Sequence, residues 1–494
     1  MHIRLFSLTS AVFFSLLQLQ CGGQQQGVTT PADQTAGISQ DLPPTETPVG
    51  ELILALLDTT AAGPAAVDER LGLQVGPHVR AFYGVTPQPV WSQPNDSLTT
   101  EAKAVLALLD QARAYGLQPE YYATDRLVAL RDSLRLPAPS SPQQRARLDV
   151  YLSDAVLRFM LDLHRGRLRT YAASPRERAT RQVFQPADLL RESLTAGKVA
   201  DGILACQPHN REYRQLQQAL EQWLSTPVPA DSVAQYQVRY EQVALNLERW
   251  RQEAISDSEY LLINLPAYKL EVVRGDSVVR QHRVIVGQPK TPSPTLSSTI
   301  DHFTLAPDWH VPRSIATKEI LPILKKDVDY LARNNFALYD ERGRLLNPYQ
   351  IDWQQVSAKS FAYTIRQSAG CDNALGNIVF RFKNPYSVYL HDTPVRQAFT
   401  YPMRALSHGC IRLQNPMQLA AYLLARGGQF RKLPTDEECA RQSKPQHIRL
   451  AKSIPLHVRY FTCATENGQL RFYPDIYQRD KALKRALTLI ARES

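Results

Sequence analysis

Apolar positions recur at helical spacing through the first half of the chain and alternate with polar ones through much of the second. Leu148, Tyr151, Leu152, Ala155, Val156, Phe159 and Leu163 share one face of a 3.6-residue period, with Gly166 as the stop. Thr100 is placed to cap a helix carrying Ala102, Val105, Leu106 and Leu109 and ending near Gly116, and Tyr213, Leu216, Leu220, Trp223 and Leu224 form a third stripe. Such stripes read as core, and no catalytic constellation accompanies them. From Tyr260 the period shortens to two: Tyr260 to Leu265, Tyr268 to Val273 and, after the turn Arg274-Gly275-Asp276-Ser277, Val278 to Val286 predict a β-meander. Residues 299–305, 361–365, 378–382, 388–391, 457–462 and 469–473 continue the β pattern, whereas Ile315 to about Ser360 turns helical and loop-like around Pro322, Asn334-Asn335 and Gly343. Asn415 and Pro416 then open a helix with Leu419, Tyr422 and Leu423, ended by Gly427-Gly428. The pattern predicts an α+β chain, helical over about 51–240 and mainly β over about 241–480, with a short tail at 481–494.

The two ends of this plan differ in composition. Arg4 followed by an apolar run from Leu5 to Leu17 reads as an export signal over residues 1–21, too short for a comfortable membrane span. Cys21, followed by Gly22-Gly23, stands where a lipoprotein signal has its acylated cysteine, although Gln18 and Gln20 are poor matches; an ordinary cleaved signal is the alternative. Residues 22–50, with Asp33, Asp41 and Glu46 among Gln, Thr, Gly, Pro and Ala, lack the apolar content to fold and read as a tether. The expected address is periplasmic, on a lipid anchor. Elsewhere the 494 residues are 44% hydrophobic, enough for two or three cores, and 57 Lys and Arg against 47 Asp and Glu give a net charge of +10. That balance suits an anionic envelope polymer or lipid headgroups; no run of Lys and Arg or binding motif points to nucleic acid. Six cysteines are too few for a disulfide scaffold, and a pair between Cys439 and Cys463 stays open.

The chemistry concentrates in Ser407-His408-Gly409-Cys410-Ile411-Arg412 and in His391 upstream, within Tyr389-Leu390-His391-Asp392-Thr393-Pro394. A thiol attacks as thiolate, and at a free pKa of about 8.5 only a few per cent is ionised at neutral pH, so a nearby imidazole is the usual remedy. Glycine before the cysteine permits a tight turn that brings the backbone N–H groups of Gly409 and Cys410 to the sulfur as oxyanion donors. Three alternatives compete: a buried structural cysteine, a zinc site using His391, His408 and Cys410, whose spacing fits known sites poorly, and a disulfide to Cys371.

His391 followed by Ser407-His408-Gly409-Cys410 and Arg412 resembles the signature of the L,D-transpeptidases, the YkuD-type cysteine enzymes of bacterial peptidoglycan. Ile365-Arg366-Gln367, Asn373-Ala374-Leu375-Gly376, Arg404, Trp309-His310-Val311-Pro312 and Asn246-Leu247-Glu248-Arg249-Trp250 resemble the large YcbB-like subfamily. The resemblance implies a helical scaffold domain at 51–240 and a catalytic domain at 241–480 with a helical and loop-like capping subdomain at about 312–360. The peptidoglycan-binding module common in that group is missing, since only Ser225 to Glu241 separate Leu224 from the Asn246 motif. It further implies that Cys410 attacks the bond before the terminal D-alanine of a tetrapeptide stem, that His391 takes its proton while the Asp392 carbonyl orients the ring, and that a second stem's amine resolves the thioester into a 3→3 cross-link. Carbapenems would acylate the same sulfur. His408 is either substrate-facing or a loop hydrogen bond; Arg412 and Arg404 either bind stem carboxylates or pair inside the fold; Ser407, Asn373, Tyr389 and Trp309 line the site. Stem peptides are the expected partners, cell-wall synthases candidate ones. No cofactor or metal is implied, and no phosphate-binding loop appears. Hydrolysis of the same thioester, or a non-catalytic wall-binding role, are the competing functions.

Overall fold

The computed structural model describes residues 48–85, 87–94, 97–133, 140–168, 184–253, 255–370, 372–442 and 444–493. The export signal, Cys21, Cys371 and nearly all of the tether therefore lie outside the described residues. The architecture is α+β, helical first and mainly β after.

The helical half is built on Pro142–Arg165. Ser141 and Gln144 form a reciprocal capping box at its start, and Gly166 ends it. Its buried face includes three carboxylates, and burial raises the pKa of each, Asp149 to about 6. All three are hydrogen-bonded. Asp149 accepts from the Val90 and Trp91 amides and the Ser92 hydroxyl, Asp154 from the Gln74 and Val75 amides, and Asp162 from the Tyr122 hydroxyl at 2.8 Å. One helix thus pins the loops that pack around it. An earlier helix, Thr100–Asp110, is capped by Thr99 rather than Thr100, because the Thr99 hydroxyl accepts from the Ala102 amide.

The β half contains β1 (Glu259–Asn264), β2 (Lys269–Arg274), β3 (Ser277–Gly287), β4 (Leu296–Leu305), β5 (Trp309–His310), β6 (Phe336–Tyr339), β7 (Leu345–Leu346), β8 (Thr364–Gln367), β9 (Ile378–Phe382), β10 (Leu390–His391), β11 (Ala405–Ser407), β12 (Ile411–Leu413), β13 (Gln446–Arg459), β14 (Cys463–Glu466) and β15 (Gln469–Phe472). Nine strands form one sheet in the order β11-β3-β12-β10-β9-β4-β13-β1-β2. The early part of β3 pairs with β2 and its last residues with β12 and β11, so the sheet closes on itself. Its enclosed face is the core of Leu261, Ile263, Phe303, Phe380, Leu390, Ile411 and their neighbours, joined by Leu419 and Leu423 of the helix Pro416–Arg426. Asn415 precedes that helix in the left-handed region, at φ 51°, without making the side-chain cap its residue type suggests.

Two expectations change here. Phe361 to Ile365 does not extend the main sheet: β8 lies in a separate four-stranded sheet, β5-β8-β6-β7, over its own core of Leu324, Leu338, Trp353 and Phe361. The insert is therefore mixed and spans 309–367, because its first and last strands pair with each other. The expected tail at 481–494 is part of a helix, Arg479–Glu493.

The Asn246-Leu247-Glu248-Arg249-Trp250 segment sits near the end of the helix Val233–Arg251 and joins the two halves. Asn246 accepts from the Thr462 amide and donates to its hydroxyl, both at 2.9 Å. Arg249 pairs with Asp480 at 2.6 Å, Trp250 stacks on Phe461 with ring centres 3.9 Å apart, and Glu248 accepts from the Leu168 amide. Leu247 and Trp250 enter a core shared with Tyr260, Leu262 and Val273 of the sheet's outer face. Replacing Asn246 by Ala leaves the buried Thr462 amide without its acceptor, so Asn246→Ala should lower stability by about 2–3 kcal/mol, read as a shifted denaturation midpoint.

Candidate active site

The site begins with strand pairing. β10 runs parallel to β12 with Leu390 opposite Ile411 and His391 opposite Arg412, and the Ile411 amide donates to the Tyr389 carbonyl at 3.0 Å. Leu390 and Ile411 are both core residues, so their neighbours along each strand point to the opposite, outer face. Tyr389, His391, Cys410 and Arg412 therefore share one face on adjacent strands. This register sets the sequence-predicted pair, Cys410 and His391, on the same face of neighbouring strands, with Cys410 level with Tyr389 and His391 level with Arg412.

Cys410 is a free thiol and half-buried. Burial pushes its pKa up, while the nearby Tyr389 amide and hydroxyl and the Arg381 and Arg412 charges pull it down. The Trp309 indole of the insert lies near enough to the Tyr389 hydroxyl to offset part of the rise that burial imposes on that phenol. His391 is buried, with Nδ1 2.6 Å from the Asp392 carbonyl. A carbonyl only accepts, so Nδ1 carries the proton and Nε2 is left as the base. Burial and the neighbouring Arg412 charge depress the imidazole to about 3. Both partners are thus driven towards their neutral forms, a thiol beside a neutral base rather than a preformed thiolate–imidazolium pair.

Asp392 also uses its side chain, accepting from the Asn377 amide at 3.0 Å. That carboxylate fills the space where a Cβ on Gly376 would stand, at a backbone φ of +60°. Position 376 thus requires glycine for the turn that sets His391.

The loop before Cys410 is braced from within. Gly409 adopts φ +115°, its amide donates to Ser407 Oγ at 3.1 Å, and Ser407 Oγ donates to the Cys410 carbonyl at 2.5 Å. Ser293 donates to the Gly409 carbonyl at 2.7 Å, and Thr291 to that of Ser407 at 3.2 Å. Two expectations are corrected by this network: Ser407 is buried and shapes the loop instead of facing substrate, and the Gly409 amide is already spent. Among the described residues the Cys410 amide has no acceptor, so it remains as the oxyanion donor of the pair.

Other predicted residues take different places. Arg412 is mostly buried with an unpartnered Nε, and among the described residues no carboxylate meets it. Arg404 does not reach the site: it donates to the carbonyls of Val284, Tyr401 and Tyr268 and stacks on the Tyr268 ring. Asn373 is buried and donates to the carbonyls of Pro307, Gln367 and Ser368, fastening both ends of the insert. His408 is exposed, and its Nε2 lies 2.8 Å from Glu319 of the insert, a partner that no sequence spacing suggests. Among the described residues no group of three or more His, Cys, Asp or Glu could hold a metal ion, so the grouping of His391, His408 and Cys410 weighed as a zinc site is not found. Cys206, Cys439 and Cys463 are buried and free, so the pair left open between Cys439 and Cys463 is not formed.

Both halves of the chain match known protein families. Residues 258–430 match the YkuD family, the L,D-transpeptidase catalytic domain, and residues 77–220 match a family described as the scaffold domain. A Haemophilus influenzae protein bearing a provisional L,D-transpeptidase name is 31% identical over 344 residues, covering 68% of this chain and 67% of that protein. The chain belongs to the L,D-transpeptidase family. Between its two family segments, residues 221–257, the described residues form the end of one helix, the short 3-10 turn Ala230–Ser232 and the helix Val233–Arg251. Solved L,D-transpeptidases from Mycobacterium smegmatis (16% identity, TM-score 0.20) and Mycobacterium tuberculosis (15%, TM-score 0.17) each align with 41% of this chain. This chain covers 58% and 62% of their lengths. No helix among the described residues is long and apolar enough to cross a membrane.

A neutral pair has a recognisable pH signature. Alkylation of Cys410 should rise with pH through a midpoint above that of free cysteine, with no plateau beginning near the ordinary imidazole value of about 6.5. Tyr389→Phe, which removes a neighbouring hydroxyl that favours the thiolate, should move that midpoint higher still. Stopped-flow alkylation across pH reads both.

Proposed function

We propose that the chain is a cysteine L,D-transpeptidase that joins two peptidoglycan stems through a thioester on Cys410. The observation that carries this reading is a free, half-buried thiol on the same strand face as a neutral imidazole whose Nδ1–H is fixed by the Asp392 carbonyl. A neutral Nε2 is suited to accept the thiol proton as sulfur attacks the carbonyl before the terminal D-alanine. The developing oxyanion meets the Cys410 amide and the Tyr389 hydroxyl, and one such donor is worth about 3 kcal/mol. As the C–N bond breaks, imidazolium returns its proton to the departing D-alanine amine. The side-chain amine of a second stem then attacks the thioester, gives up a proton through His391, and the sulfur leaves as a thiol, leaving a 3→3 amide link. Peptide bond is exchanged for peptide bond, so the reaction needs no nucleotide.

Arg412, cationic and without a carboxylate of its own, is the residue to hold a stem carboxylate beside the sulfur. His408 and Glu319 form the rim where insert and catalytic loop meet, the side on which the second stem would enter. The insert acts as a wall of the site, with Trp309 beside Tyr389. Export through residues 1–21, lipidation at Cys21 and a periplasmic address complete the proposal, with cell-wall synthases as candidate partners.

Incubation with a carbapenem should add one drug mass to the intact chain, mapped to Cys410 by peptide mass spectrometry, and Cys410→Ala should abolish the adduct. With a defined tetrapeptide fragment, the same protein should release D-alanine and yield a dimer. Trimmed monomer alone would assign water as the acceptor and make the chain a carboxypeptidase. Arg412→Ala should reduce turnover of the fragment by roughly a hundredfold while the fold is retained.

A further inference from the structure

The face that carries Cys410 continues sideways past Tyr389. Pairing of β9 with β10 sets Leu390 opposite Phe380 and His391 opposite Val379, which puts Arg381 next to Tyr389, its guanidinium 5.3 Å from the centre of that ring. On its other side Arg381 is in register with His302 of β4. A lateral row of His302, Arg381, Tyr389 and Cys410 thus crosses four strands, while the next row, Phe303, Phe380, Leu390 and Ile411, points into the core.

Within this row the charges are unevenly matched. His302 has a carboxylate at hand, with Nδ1 2.6 Å from Asp301. Arg381 is exposed, and among the described residues no carboxylate pairs with it. Its charge is felt at the Cys410 thiol, the Tyr389 hydroxyl and the His310 imidazole. From the insert, Arg366 stands opposite His310 and lies over the Tyr339 ring at 4.5 Å, with a buried Nε that has no partner. Burial first, and then both arginine charges, depress the His310 imidazole. Asp308, the carboxylate that opposes them there, already accepts from the Ala369 amide at 3.2 Å.

We propose that Arg381, backed by Arg366, forms a second carboxylate-binding subsite, holding an acidic group of the donor peptide on the side of Tyr389 away from Arg412. Neighbouring strands lie about 4.8 Å apart, so Arg381 starts roughly 10 Å from Cys410 across the sheet. An extended peptide advances about 3.3–3.6 Å per residue, which brings a carboxylate two to three residues upstream of the scissile bond under this guanidinium. The planar fork suits a carboxylate, and the ring of Tyr389 keeps the cation flat against the wall. The subsite rests on the reading of Cys410 as the acyl acceptor for stem peptides, and it makes the enzyme selective for stems whose upstream carboxyl is free rather than amidated.

Binding separates this inference from catalysis. In a Cys410→Ala background, calorimetric titration with a tetrapeptide stem should give about tenfold tighter binding than with the same peptide amidated at its upstream carboxyl. Adding Arg381→Ala should weaken the acid form to the level of the amide and leave the amide unchanged; Arg381→Lys should keep part of the preference. Equal binding of acid and amide by the parent, or a preference that survives Arg381→Ala, overturns the subsite. The carbapenem adduct on Cys410 of the otherwise native chain reads the nucleophile separately, so its absence counts against the thioester mechanism and not against the Arg381 contact.

Discussion

The site depends on the short parallel pairing of β10 with β12. Two apolar side chains, Leu390 and Ile411, are buried side by side in the closed sheet, and that burial fixes which face every neighbour takes. Strand side chains alternate, so a slip of one residue would turn Cys410 and His391 into the core and expose the leucine and isoleucine instead. Each fully buried aliphatic side chain contributes about 1.5–3 kcal/mol relative to exposure, which makes the correct register strongly favoured. The chemistry is therefore held in place by residues that take no part in it.

The same burial sets the electrostatics. A dry wall raises the thiol, depresses the imidazole and lowers the Arg412 guanidinium, so ionic forms are disfavoured in the resting state. Charge separation between sulfur and His391 is then postponed to the moment of attack, when substrate, the Cys410 amide and the Tyr389 donor are in place. A resting thiolate would also be the form that oxidants attack, and a protonated thiol is the quieter state. The rigid loop around Gly409 fits this scheme, because its internal hydrogen bonds leave the Cys410 amide free.

Two larger pieces support the centre from different sides. The helix Val233–Arg251 joins the helical half to the outer face of β1 and β2 through Asn246, Arg249 and Trp250, each with its own partner. The insert joins the other side, clamped at its base by Asn373 and touching the catalytic loop through Glu319 and His408. Residues that stand out in the sequence thus divide into those that meet the sulfur, such as Tyr389, and those that hold the frame, such as Asn373, Arg404 and Ser407. Their residue types alone do not separate the two groups, because a buried asparagine and an arginine are equally able to bind backbone carbonyls or a ligand.

The sequence by itself determined the order of helical and strand segments, the helix stops at Gly166 and Gly427, and the chemistry of the Cys410 stretch, since periodicity, caps and a cysteine among histidines act over a few residues. It also carried enough of the family's motifs to announce the fold. Tertiary structure alone decided that β8 leaves the main sheet, that Arg479–Glu493 is a docked helix, and that His408 meets Glu319. Arg381 is the plainest case: along β9 it is one polar residue in an apolar run, and only the register of two strands meeting from different parts of the chain places its charge beside Tyr389. Local patterns record what each segment buries, whereas which polar groups find one another depends on contacts between segments far apart in sequence.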